Sequence, residues 1–195
     1  MKKTKNLNER PSVEMLEAEL KRVKYRQRYR ITLKRTIYTL ITVAAVAVLV
    51  ATLWLPVLQI YGASMTPTLQ DGQIVFSVKT TQLEPGDIVA FYYNNKILVK
   101  RVIAGPGDWV DIDESGNVFV NSVLLEEPYL QEKSFGDADI ELPYQVPDGK
   151  IFVMGDHRST SVDSRHVAVG CVAEEQIVGK IVFRVWPLGQ FGGVE

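Results

Sequence analysis

Hydrophobic and polar positions are strongly segregated along this 195-residue chain. Residues 36–70 carry no charged side chain, and their apolar heart, residues 37–55, is rich in Val, Ala, Leu and Ile and is followed by Pro56. As a helix these 19 residues would be ~29 Å long, close to the ~30 Å hydrocarbon core of a bilayer. Tyr38 and Trp54 stand near its two ends, where amphipathic aromatic rings favour the lipid–water interface. A cleavable signal peptide has an apolar region of about 7–15 residues close to the N-terminus. This run is longer and follows 36 residues, so a permanent membrane anchor is predicted. Ahead of it, Ser12 is placed to cap a helix whose Val13, Leu16, Leu20 and Val23 recur at spacings of three and four. Its other faces are charged. It is expected to be a solvated tail that sets topology, with a short coiled coil or membrane-surface helix as the alternative.

Beyond the span the period changes from helical to two. Short β-prone runs at 73–78, 88–93, 97–104, 109–112, 118–120, 151–154 and 180–186 alternate with turn signals such as Asp71-Gly72, Pro85-Gly86-Asp87, Asn94-Asn95 and Ser115-Gly116-Asn117. The pattern predicts a mainly β domain, a barrel or a pair of folded-over sheets, carried on one N-terminal transmembrane helix. Residues 124–147 are less regular and are expected to form a flap or a small subdomain. The chain therefore divides into a basic tail (1–36), an anchor (37–59) and one β domain (60–195) large enough for its own core.

Composition changes this picture little, but charge gives it a direction. With 46% hydrophobic and 23% charged residues, disordered and collagen-like classes are excluded. The net charge of −1 hides an asymmetry: residues 1–36 hold 12 Lys/Arg against 4 Asp/Glu, and the remainder holds 10 against 19. Basic residues just before a span are retained in the cytoplasm, so residues 60–195 are expected outside the membrane. The single cysteine, Cys171, forms no internal disulfide, and with two histidines it does not make a structural zinc cluster.

Three places carry chemistry. Ser64 follows the span in a stretch of small residues with Pro67 three positions later; on its own, such a serine is ordinarily a turn residue. In the strand pattern around Lys100, residues 98, 100 and 102 share one face and 97, 99, 101 and 103 the other. Whichever face packs inward takes a cation with it, either Lys100 or Arg101. A lysine among apolar groups loses hydration of its charged form and becomes a base. An edge strand whose basic heads reach water explains the same pattern equally well. The third place runs from Gly155 to Arg165, a polar loop in which Asp163 and Arg165, or Asp156 and Arg158, are expected to pair. Its carboxylates do not alternate as a calcium loop requires. His157 and His166 lie in or beside this loop, where either can be a surface residue, and no Ser-His-Asp order is attractive.

Taken in order, these segments resemble the bacterial type I signal peptidases, serine proteases with a Ser/Lys dyad. Gly62-Ala63-Ser64-Met65-Thr66-Pro67-Thr68-Leu69 is similar to the nucleophile box, and Pro85-Gly86-Asp87-Ile88-Val89 to the strand entry that follows. The run from Lys100-Arg101-Val102 to Gly107-Asp108 resembles the lysine box, and Gly155-Asp156-His157-Arg158 through Ser161, Asp163, Ser164 and Arg165 the last box. The preceding span and the ending Phe183-Arg184-Val185-Trp186-Pro187 also fit. The resemblance implies that Ser64 attacks the scissile carbonyl and that neutral Lys100 takes its proton and passes it to the leaving amine. It further implies that Ser161 orients the lysine, that Asp163 and Arg165 pair to support the loop with Asp156, and that Ile60 and Val99 wall the pockets for small side chains. The implied substrates are signal peptides of secreted preproteins, cut after small-x-small sites such as Ala-x-Ala. The implied setting is the cell membrane: a single pass, N-terminus cytoplasmic, catalytic domain extracytoplasmic, with the lipid bilayer and the protein translocation machinery as neighbours. No metal, organic cofactor or nucleic acid is expected. Where some relatives have an oxyanion-binding serine two positions before the nucleophile, this chain has Gly62, a variant that, like the short 124–147 segment, resembles the Gram-positive branch.

Two other readings differ in chemistry. A sortase-like anchored transpeptidase would use Cys171 with Arg184, but Cys171 stands in an apolar run. An anchored β-rich binding module would need no reactive serine.

Overall fold

The computed structural model describes residues 12–54, 56–80 and 82–194, with side chains omitted at 51–54. The expected interfacial placement of the Trp54 ring and the end of the span at Leu55 lie outside the described residues, as do the first eleven positions of the tail. The chain divides into two units, at residues 1–50 and 51–195.

The first unit is helical. Helix α1 runs without a break over Val13–Trp54, so the tail and the span are one element. Ser12 caps it as expected: its Oγ accepts from the Met15 N–H at 3.3 Å and its carbonyl from the Leu16 N–H at 3.1 Å. Along the apolar part the hydroxyls of Thr36, Thr39 and Thr42 each donate to the carbonyl four residues earlier, at 3.1, 2.9 and 2.9 Å. That leaves those hydroxyls satisfied without water, as a helix in lipid requires. One stretch of this helix, with mean hydropathy 1.7, is long and apolar enough to cross a membrane.

The second unit is β. Its strands are β1 (Val57–Gln59), β2 (Ile74–Val78), β3 (Ile88–Tyr93), β4 (Lys96–Ala104), β5 (Trp109–Ile112), β6 (Val118–Val120), β7 (Val123–Leu124), β8 (Tyr144–Gln145), β9 (Lys150–Met154), β10 (Val172–Ala173), β11 (Ile177–Trp186) and β12 (Gly192–Gly193). All seven expected strands form, within three residues at each end. The five others are two or three residues long, too short to show a period.

The larger sheet has the order β1-β2-β11-β3-β4-β9-β10, with β12 added to β11, and the smaller one the order β7-β6-β5-β8. Neither order closes on itself, so the domain is a pair of open sheets and not a barrel. The strands at the ends of the larger sheet, β1 and β10, are only three and two residues long and offer too little ladder to join. Both faces of the larger sheet are covered. Ile88 and Ala90 of β3 enter a core with Ile60, Met65, Leu69, Val75 and Ile181, while Val89 and Phe91 enter another with Val102, Ile151, Val153 and Val172. A third core, around Ile103, Phe152 and Met154, joins the two sheets through Val110, Ile112 and Val118. Residues 124–147 are not a detached flap, because Leu125, Phe135, Ile140, Leu142 and Tyr144 pack on this third core.

Candidate active site

Three segments converge on Ser64. The loop that carries it is pinched shut, the Ile60 N–H donating to the Gln73 carbonyl at 2.8 Å and the Gly72 N–H to the Ile60 carbonyl at 2.9 Å. Met65 and Leu69 anchor it by burying completely in the core beneath. Ser64 itself remains half-exposed and, with Ile60, Gly62, Met65, Val99 and Lys100, lines a cleft of about 670 Å³. Both expected wall residues, Ile60 and Val99, are therefore at the cleft.

The second segment is β4. It lies between β3 and β9, inside the sheet and not at its edge. Lys100 and Arg101 are only 3% and 2% exposed, so both cations of the pattern are buried, not one. Lys100 reaches the nucleophile loop, with Nζ 2.6 Å from Ser64 Oγ. Burial strips water from its ammonium and lowers its pKa to about 8, a shift that the Asp163 and Asp156 carboxylates oppose and Arg165 assists. Arg101 serves a different end: its Nε and Nη2 clamp the two carboxylate oxygens of Asp156 at 3.0 and 2.8 Å, and its Nη1 donates to the Gly86 carbonyl at 2.7 Å.

The third segment is the polar loop after β9. Asp163 and Arg165 pair as expected, at 2.8 and 2.9 Å, and both are fully buried. Burial alone would raise the Asp163 carboxyl, but the Arg165 guanidinium and the Gly155 N–H hold it below the usual carboxylate range. The alternative pair does not form. Asp156 goes to Arg101, and Arg158 pairs with Glu127 instead. Asp156 also accepts from the Thr68 hydroxyl at 2.5 Å, tying the loop to the nucleophile segment. Gly155 permits the close approach of the two loops. A Cβ there would lie 2.5 Å from the Ser64 carbonyl oxygen and would collide with the Ser161 hydroxyl.

Ser161 is buried against this junction. Its Oγ has no hydrogen-bond partner among the described residues. The expected hydrogen bond to Lys100 is not formed. Gly62 adopts φ +85°, a backbone conformation in which a serine would be strained, and its N–H is committed to Asp71 Oδ1 at 2.7 Å. Neither a side chain nor the backbone of residue 62 is therefore free to hold an oxyanion.

Glu127 and Tyr129 had no signal in the sequence. The Tyr129 ring lies 3.9 Å from the Arg101 guanidinium carbon, and its hydroxyl donates to Glu127 Oε1 at 3.0 Å. Cys171 packs on the third core, and burial pushes its thiol up to about 11, far from a reactive thiolate.

The described residues thus combine an apolar helix, an open-sheet β domain and a half-exposed serine beside a buried lysine. A family model for signal peptidase, peptidase S26, matches residues 33–186. Signal peptidase IB of Staphylococcus aureus is 40% identical over 153 residues, covering 68% of this chain and 78% of that protein. The chloroplastic thylakoidal processing peptidase 1 of Arabidopsis thaliana is 36% identical over 141 residues, 64% of this chain and 40% of that protein. A crystal structure of a signal peptidase I from Enterococcus faecalis is 28% identical, covers 51% of this chain and 96% of that one, and superposes with a TM-score of 0.44. The chain belongs to the signal peptidase family, peptidase S26.

Proposed function

We propose that this protein is a membrane-anchored endopeptidase that removes signal peptides from exported preproteins, with Ser64 as nucleophile and Lys100 as its base. The observation that carries the reading is the 2.6 Å approach of Lys100 Nζ to Ser64 Oγ inside the cleft. In the neutral amine the nitrogen lone pair accepts the Ser64 proton as Oγ attacks the scissile carbonyl. The resulting ammonium then gives that proton to the leaving amine, and water completes hydrolysis of the acyl-enzyme by the same route in reverse. A lysine lowered to about 8 suits both directions of transfer near neutral pH. Ser161 supplies an unpartnered buried hydroxyl available to orient the amine, while Asp156, Asp163 and Arg165 brace the loop behind it. Ile60 and Val99 line the cleft beside Ser64 with apolar walls, which suits the small apolar residues of an Ala-x-Ala end.

The site and anchor are consistent with a tail at 1–36 in the cytoplasm, one pass through the lipid bilayer at 37–59 and a peptidase domain at 60–195 on the outer side, beside the translocation machinery. The test is cleavage of a preprotein ending in Ala-x-Ala by detergent-solubilised protein. Ser64→Ala is expected to abolish cleavage with an unchanged thermal melt, and substantial cleavage by that variant would remove Ser64 from the mechanism.

A further inference from the structure

With glycine at position 62 the oxyanion is left to the backbone, and the orientation of one peptide plane then matters more than usual. The Ser64 N–H makes no hydrogen bond among the described residues, and Ser64 lines the cleft. That N–H belongs to the same rigid peptide unit as the Ala63 carbonyl, so whatever grips the carbonyl also aims the N–H. Two groups grip it, both from Thr66: the backbone N–H at 3.0 Å and the side-chain hydroxyl at 2.8 Å.

The Thr66 hydroxyl is in turn held by His157, whose Nδ1 lies 3.1 Å from Thr66 Oγ1. A hydroxyl has one proton to donate, and the shorter contact assigns it to the Ala63 carbonyl. The imidazole must then carry its proton on Nδ1 and donate it to Thr66 Oγ1. Donating into a hydroxyl strengthens that hydroxyl as a donor, so the chain His157–Thr66–Ala63 is cooperative. His157 also reaches the other side of the nucleophile, its backbone N–H donating to the Ser64 carbonyl at 3.0 Å. One residue therefore restrains the peptide planes before and after Ser64, the first through its ring and the second through its main chain.

We propose that His157 and Thr66 are positioning residues for the oxyanion: the imidazole locks the Thr66 hydroxyl onto the Ala63 carbonyl and so fixes the Ser64 N–H as an oxyanion donor. The proposal rests on Ser64 being the nucleophile, as argued above. It makes no use of imidazole ionisation, because Nδ1 donates in the neutral ring and in the cation alike.

The measurement is steady-state cleavage of an Ala-x-Ala preprotein, with thermal melts alongside. Thr66→Val and His157→Leu each remove one link. Both are expected to lower kcat about tenfold with KM within a factor of two, short of the ~10²–10³ lost with a whole oxyanion donor. Thr66→Ser keeps the hydroxyl and is expected to stay within about threefold of wild type. His157→Asn, whose side-chain amide can stand in for Nδ1–H, is expected to recover most of the loss. The double variant should be no slower than Thr66→Val alone, because both changes break the same chain. Wild-type kcat in both single variants, a loss confined to KM, or a Thr66→Ser enzyme as slow as Thr66→Val would each overturn the proposal. Failure of the Ser64 assignment shows separately, as cleavage by Ser64→Ala.

Discussion

Burial brings the Lys100 pKa to about 8, so near pH 7 roughly a tenth of the amine is free to accept a proton. The rate of cleavage should accordingly climb as pH rises through 8 and level off above it, which a pH profile of kcat/KM reads directly. The same shift has a stability counterpart. An unfolded chain holds this proton up to about 10.5 and the native state only to about 8, so between those values the unfolded state binds more protons and stability rises with pH. Lys100→Met retains the length and drops the charge. It is expected to be inactive, as stable as wild type or more so at pH 7, and to lose that advantage as pH approaches 10. Were Lys100 a structural ion-pair partner instead, the same change would cost about 3–5 kcal/mol at pH 7 by stranding a buried charge. Thermal melts from pH 6 to 10 separate the two, and a markedly less stable Met variant at pH 7 sinks the buried-base reading. The sequence alone left this residue open between a buried base and an edge-strand cation. Only the place of β4 between β3 and β9 shows the residue to be buried, and strand order is set by contacts far apart in the chain.

At the scale of elements, the site is a strand and two loops held in register by buried ion pairs. Arg101–Asp156 joins β4 to the loop after β9, Asp163–Arg165 braces that loop internally, and Arg158–Glu127 ties it to the segment 124–147. Such pairs cost more to break singly than to replace together. Glu127→Ala leaves the Arg158 guanidinium buried without its carboxylate and is expected to destabilise the domain by about 3–5 kcal/mol. Changing both residues at once, Glu127→Leu with Arg158→Met, should recover much of that loss; a single variant that melts like wild type would show the pair to be idle. Parts of this arrangement were readable beforehand. The Asp163–Arg165 pair is two residues apart in one polar loop, and the seven longer strands carry a clear alternation. The Arg158–Glu127 pair spans 31 residues and ends in a segment with no period, so nothing local announces it, and for the same reason the sequence leaves the Asp156–Arg158 alternative open. The expected barrel fails on a similar ground: alternation reports which residues face inward, not whether the outermost strands are long enough to meet.

Over the whole molecule, charge and apolarity are divided so that each segment suits one environment. Helix α1 has 42 residues, ~63 Å of rise, about twice the hydrocarbon thickness, so a span accounts for only part of it. The part before the apolar run holds eight basic residues between Lys21 and Arg35 and no acidic one. By the positive-inside rule such a stretch favours the cytoplasmic side, which is the orientation proposed here. The acidic β domain, with 19 Asp/Glu against 10 Lys/Arg after residue 36, has no such bias, so the proposed topology places it on the outer side. A signal peptidase must face the side on which signal peptides emerge, so the charge pattern and the proposed reaction require the same topology. Epitope tags at the two ends of the chain test it in intact protoplasts. Added protease is expected to remove a C-terminal tag and to spare an N-terminal one until the membrane is permeabilised. The opposite pattern would leave Ser64 and Lys100 on the cytoplasmic side, away from any translocated substrate. Replacing Lys34 and Arg35 by glutamate, and Arg28 and Arg30 likewise, should weaken the orientation and render the C-terminal tag partly protected, because those four side chains lie nearest the start of the apolar run.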